Sequence, residues 1–209
     1  MGKGTEIRKE KLENRLFSIF YFLSSSLLVA GGLTANGPPL ARAAQFPRRN
    51  EPIVRAQGYV SLQSVPQGGE FRVAVLAEIA PGYHINASKP LQEYLIPTQL
   101  RAQPPAGMRV LEAAYPKANL KEFAFSDEKM AVYDGTIVLG LRVATSPRIP
   151  RGEVALPLEL RYQACNDKLC LPPTTLPLQV NVPLVSPGTA ARAIHPEIFS
   201  KLVFGGKSR

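Results

Sequence analysis

From Val54 onward the apolar residues of this chain recur at every second position, and prolines and glycines break the pattern at short intervals. In GEFRVAVLAEIAPG, Phe71, Val73, Val75, Ala77 and Ile79 share one face, Arg72 and Glu78 take the other, and Pro81-Gly82 ends the run. Successive side chains of a strand point to opposite faces, so this alternation predicts a half-buried strand rather than a helix. The 20 prolines among 209 residues leave no stretch from 54 to 184 able to support a helix of three turns.

The same reading predicts further strands along the chain. GYVSLQSV (58–65) is a short one, and residues 83–86 form an extended piece after the Pro-Gly turn. EYLIPTQLRA (93–102) carries Pro97, which places it at an edge or a bulge. MRVLEAAYP (108–116) follows. AVYDGTIVLGLRVA (131–144) puts Val132, Ile137, Leu139, Leu141 and Val143 on one face, with a turn or bulge at Asp134-Gly135. Residues 152–165 alternate through Val154, Leu156, Leu158, Leu160 and Tyr162, and residues 174–184 through Leu176, Leu178, Val180 and Val182. Seven to nine short strands with Pro/Gly turns predict an all-β, immunoglobulin-like β-sandwich. Antibody-type domains pin two sheets with cysteines far apart in sequence around a buried tryptophan. This chain has two cysteines five positions apart and no tryptophan.

Before this domain the chain reads as an export signal. Residues 1–15 carry five basic and three acidic side chains, residues 16–33 are uncharged and apolar, and Ala41-Arg42-Ala43 offers a small-x-small cleavage site. Residues 1–43 are therefore expected to be a signal peptide cut after Ala43 or Ala44. An uncut anchor remains open, because the apolar run is near the lower length for spanning a bilayer. Both place the rest of the chain outside the cytoplasm, in the periplasm or beyond. Residues 44–53, with alternating prolines and charges, read as an extended linker. The folded domain is expected over 54–185, and 186–209 as a tail with short helical turns or no order. Without residues 1–43 the formal charge falls from +9 to +6. The remaining excess is scattered, with no basic stripe interleaved with aromatics, so no nucleic-acid partner is expected.

The chemically distinctive feature is Cys165 and Cys170 around NDKL. An alternating strand delivers Cys165, a polar turn reverses the chain, and Cys170 begins the return before Pro172-Pro173. Facing positions in such a hairpin lie close enough for a disulfide. The residues leave two readings open. As a structural staple, so short a loop contributes only about 2 kcal/mol. As a redox pair, it sits in an exposed loop that an incoming thiolate can reach. A metal reading is weaker: two thiolates with no nearby histidine leave a zinc site half empty, and no cofactor or metal is expected. Lys168 would favour a thiolate and Asp167 oppose it. His84 and His195 are the only histidines. They make no hydrolase site, and His84 reads as a packing or hydrogen-bonding residue.

The segment YQACNDKLCLPP (162–173) resembles the signature of the N-terminal domain of DsbD, the bacterial thiol:disulfide interchange protein. Pro81-Gly82-Tyr83-His84 resembles that family's Pro-Gly-aromatic-His motif, and Tyr133-Asp134-Gly135 its midpoint. The resemblance implies an immunoglobulin-like periplasmic domain that takes electrons from a thioredoxin-like protein or domain and hands them to oxidised periplasmic proteins. It implies that Cys170 forms the mixed disulfide with a partner and Cys165 resolves it, with Tyr162 packed beside them. It also implies a cap loop, expected over 126–132, with Asp127 and Glu128 as acidic residues near the cysteines. The family has an aromatic after those acids. This chain has Lys129 and Met130, so the shielding group is expected to be Met130 or Phe125. No membrane span is seen after Val185, so a separate membrane thiol reductase is the expected electron source. The resulting expectation is thiol–disulfide interchange through Cys165–Cys170, with protein-disulfide reductase activity left open. The alternative is a non-enzymatic protein-binding sandwich with a structural disulfide.

Overall fold

The computed structural model describes residues 51–123 and 126–205, apart from the side chain of residue 127. The expected signal peptide, most of the linker, Phe125 and the Asp127 side chain therefore lie outside the described residues.

Within them the chain is all-β, with twelve strands in three four-stranded sheets and one short helix. The first sheet has the order β1 (Val54–Val60), β3 (Glu70–Ile79), β9 (Thr136–Thr145), β6 (Met108–Ala114). The second runs β2 (Val65–Pro66), β12 (Thr174–Val185), β10 (Gly152–Tyr162), β5 (Gln99–Ala102). The alternating runs became the central strands of both. Phe71, Val73, Val75, Leu139, Leu141 and Val143 of the first sheet share one buried cluster with Leu156, Leu158, Leu160, Val180 and Val182 of the second. Two sheets with a common apolar interior are a sandwich arrangement, and burying such side chains supplies roughly 1.5–3 kcal/mol each.

The third sheet positions the cysteines. Its order is β11 (Ala164–Cys165), β4 (His84–Asn86), β8 (Ser126–Tyr133), β7 (Asn119–Phe123). Its core-facing row, Ala164, Ile85, Tyr133 and Ala131, joins the main cluster. Its other face carries Cys165, His84, Asn86, Val132 and Met130, as the registers Cys165↔His84 and Asn86↔Val132 require.

Several expectations change here. Residues 131–144 are two strands in different sheets, because Gly135 takes φ 63° and turns a corner rather than a hairpin. Val132 therefore leaves the Ile137–Val143 face and packs with Leu95 and Met130 in a separate cluster. The strand expected over 93–102 shortens to β5, because the Ile96 carbonyl accepts the Asn86 side-chain amide at 3.0 Å. The cap expected as a loop over 126–132 is a strand, β8, in a hairpin with β7, a segment sequence reasoning missed.

The tail docks. Residues 192–194 run extended beside Ser61–Gln63, with Ile194 N–H donating to the Ser61 carbonyl at 2.9 Å. One four-residue helix, α1 (Pro196–Phe199), follows. Ile198, Phe199 and Leu202 bury against Ala74, Ala114 and Val138 on the outer face of the first sheet. Gly140 permits this approach: a Cβ there would stand 2.5 Å from Leu202 Cδ1. Among the described residues no helix is long and apolar enough to cross a membrane.

Candidate functional site

The chain reaches the cysteines by leaving β10 after Tyr162 and forming the two-residue strand β11. Gln163 sits at the break, and its side chain ties three segments together. Its Nε2 donates to the Leu171 carbonyl at 3.1 Å, and its Oε1 accepts from Asn86 Nδ2 at 3.2 Å. The loop after Cys165 is shaped by Asn166. Its Oδ1 accepts from Lys168 N–H at 2.9 Å and Leu169 N–H at 3.0 Å, an Asx turn that brings the chain back. Leu171 N–H then donates to the Ala164 carbonyl at 2.8 Å. Cys165 and Cys170 stand opposite each other in an antiparallel bridge, 4.0 Å apart at Cα, and are joined by a disulfide.

The two cysteines differ sharply in exposure. Cys165 is completely buried (0 %), whereas Cys170 lies on the exposed outer limb of the loop beside Leu169, which is 51 % exposed. A disulfide with one open and one closed end presents a single sulfur for attack.

On the face of the third sheet that bears Cys165, the directly opposed residue on β4 is His84. Its side chain is 4 % exposed, and its ring stacks on Phe123 with centroids 4.1 Å apart. Phe123 belongs to β7, at the tip of the β7–β8 hairpin, and packs against Leu95, Met130 and Val132. Burial and then the Lys121 ammonium hold the His84 pKa below its ordinary value, while Asp167 and Asp134 pull it upward. Lys121 also pairs with the Asp134 carboxylate, which accepts from Asn119 Nδ2 at 2.7 Å. The Lys121 hydrogen bond is the main reason that Asp134 titrates below the usual aspartate value.

The sequence-predicted residues distribute unevenly around this centre. Met130 is 1 % exposed and packs with Leu95, Val132 and Phe123. Lys129 is exposed and pairs with Glu122 at 3.3 Å. Glu128 is exposed and accepts from Gln92 Nε2 at 3.1 Å. Tyr162 sits in the main core opposite Thr174, where burial raises its pKa against the opposing hydrogen bond to Thr174. Sequence reasoning missed Phe123, Gln163 and Asn86, and assigned His84 no part at the site. A local signal existed for Phe123, the one aromatic of NLKEF (119–123). For His84 the register to Cys165, across 81 residues, had to be known. Among the described residues no group of His, Cys, Asp or Glu is arranged to hold a metal.

Residues 51–181 match the family model described as the thiol:disulfide interchange protein DsbD, N-terminal. Among curated protein sequences none matches the chain. Thirteen chains of solved structures match it, among them the following three. The N-terminal periplasmic domain of ScsB from Proteus mirabilis is 17 % identical, with TM-score 0.44, over 70 % of this chain and 54 % of that one. The major pilin subunit BcpA of Bacillus cereus is 10 % identical, with TM-score 0.36, over 64 % and 40 %. The major pilin SpaD of Corynebacterium diphtheriae is 9 % identical, with TM-score 0.32, over 61 % and 34 %. The chain thus spans about half the length of the first of these.

Proposed function

The chain belongs to the family of the N-terminal domain of the thiol:disulfide interchange protein DsbD, and from that premise we propose that Cys165 and Cys170 are its redox-active pair. The domain lies outside the cytoplasm, as the family does. In the proposed cycle the reduced pair meets an oxidised envelope protein. The Cys170 thiolate attacks the partner's disulfide and forms a mixed disulfide. Cys165 then attacks Cys170 Sγ, closes the internal disulfide and releases the partner as a dithiol. A thioredoxin-like donor, itself served by a separate membrane reductase, reverses the process. Holding the second thiol one bridge away makes resolution intramolecular, which removes much of its entropic barrier.

The observation that carries this reading is the asymmetry of the pair: Cys170 exposed, Cys165 fully buried beside it. That matches an attacking sulfur and a resolving sulfur. The β7–β8 hairpin takes the part of the cap, with Phe123 as its aromatic. We extend the proposal to the architecture, read as an immunoglobulin-like sandwich over 54–185 with a third sheet added to hold the cap. Residues 1–43 are proposed to direct export.

Trapping tests the reading. Cys165→Ala should accumulate a mixed disulfide with a thioredoxin-like donor or an oxidised substrate through Cys170, and Cys170→Ala should not. If neither variant captures a partner, and replacing both cysteines costs only the roughly 2 kcal/mol expected of a short-loop staple, the pair is a brace and the domain a binding module.

A further inference from the structure

Resolution needs the buried Cys165 to act as a thiolate, yet a thiol in apolar surroundings keeps its proton at neutral pH, and the thiol is a poor nucleophile. Some group must take that proton. The register of the third sheet sets three side chains in one row: His84 opposite Cys165, and Cys165 opposite Cys170. Directly opposed residues of antiparallel strands project to the same face with Cβ atoms about 4.5–5.5 Å apart. His84 is therefore the immediate lateral neighbour of Cys165, on the side away from Cys170.

The imidazole also has one unengaged nitrogen. Its Nε2 is buried and has no hydrogen-bond partner among the described residues. Its face is occupied by Phe123, which uses neither ring nitrogen's lone pair. A buried polar atom left unpaired costs stability, and the stack on Phe123 engages the ring face without pairing Nε2. Of the two acidic residues suggested by the family resemblance, Glu128 is held by Gln92 on the exposed hairpin, and the Asp127 side chain lies outside the described residues.

Resting on the exchange reading above, we propose that His84 accepts the proton of Cys165 in the resolving step. With glutathione disulfide as oxidant the balance is complete. The Cys170 thiolate attacks one glutathione sulfur and expels the other glutathione as thiolate. Cys165 S–H then passes its proton to His84 Nε2, and the new thiolate attacks Cys170 Sγ. The Cys165–Cys170 bond forms, the bond from Cys170 to glutathione breaks, and the departing thiolate takes a proton from the imidazolium. Two protein thiols are oxidised and one glutathione disulfide becomes two glutathione thiols. The charged groups facing the ring are Lys121 on β7, Asp134 at the corner after β8, and Asp167 in the cysteine loop. Burial and Lys121 favour the neutral ring, the form that can accept a proton, against the pull of Asp167 and Asp134.

The test follows the glutathione adduct of Cys170 by rapid acid quench and mass spectrometry over pH 5–9 (roughly the range in which imidazole and thiol both titrate). His84→Gln should slow decay of the adduct by about 100-fold at neutral pH, the scale of a lost general base. Its rate should then climb with pH through the thiol range, whereas the wild-type rate should level off earlier. Formation of the adduct, measured in Cys165→Ala with and without His84→Gln, should be unchanged. Equal decay rates and equal pH profiles overturn the proposal. A second measurement uses the wild-type chain: the His84 ring resonance should titrate at a different midpoint in the reduced and oxidised proteins, and a common midpoint overturns it equally. Neither measurement needs a protein partner, so failure of partner capture would sink the exchange reading alone.

Discussion

Removing Phe123 should open the closed end of the disulfide. The residue is half-buried, at the hairpin tip, and stacks on the imidazole that neighbours Cys165. Full burial of a phenylalanine contributes about 1.5–3 kcal/mol, so a half-buried one contributes roughly 0.8–1.5 kcal/mol on that scale. The ring stack adds about 0.5–1.5 kcal/mol. Lifting the tip therefore costs about 1.3–3 kcal/mol, and at 1.4 kcal/mol per factor of ten it is open in roughly one molecule in 8 to 140. With single-cysteine proteins, Cys170 in Cys165→Ala should react with a chromogenic aromatic disulfide roughly 8 to 140 times faster than Cys165 in Cys170→Ala. Each rate is divided by that of the same protein unfolded in denaturant, which removes intrinsic thiol differences. Adding Phe123→Ala should raise the Cys165 rate until the ratio is within about fivefold of one, and leave the Cys170 rate where it was. A ratio near one in the intact hairpin, or a large ratio that survives Phe123→Ala, refutes the assignment of the hairpin tip as the cover.

Two further perturbations probe the supports of the site. Leu202→Ala should cost about 2 kcal/mol, the low end for a buried leucine, and lower the thermal midpoint by about 4–8 °C in calorimetry; combined with Gly140→Ala, whose Cβ would strike Leu202, the loss should be smaller than the sum of the two. Lys121→Met removes the partner that depresses the Asp134 pKa: a carboxylate held below its unfolded value of 3.8 stabilises the fold above that pH and loses the effect as pH falls through the folded value, so the two proteins should differ in denaturant midpoint at about pH 7 and converge as the pH is lowered through the folded value.

The main sandwich was legible because its central strands are long and alternate without interruption. Leu156, Leu158, Leu160 and Tyr162 could hardly bury on one side in any other backbone form, and all four do. The cysteine loop was legible too, since Asn166 and the polar turn are local signals that act within a few residues. What sequence could not supply was pairing across long separations. β7 and β8 look like a loop because their edge positions are charged, and Phe123, Met130 and Val132 pack on one another and on Leu95, which lies between strands. Asp134-Gly135 reads as a turn or bulge within one strand, and the corner at Gly135, with its positive φ, instead divides Val132 and Ile137–Val143 between sheets. His84 looks like an ordinary packing residue until its place beside Cys165 is known. In each case the deciding information is a register between distant segments, which no local pattern encodes.

The docked tail changes where this domain can be cut. The family match stops at 181, and β12 runs on to Val185, but Ile198, Phe199 and Leu202 cover the outer side of the first sheet. A fragment ending at Val185 would wet Ala74, Ala114 and Val138 and offer neighbouring molecules a greasy, strand-backed landing strip. The apolar packing of the domain therefore runs through Leu202, twenty-one residues beyond the recognised family boundary.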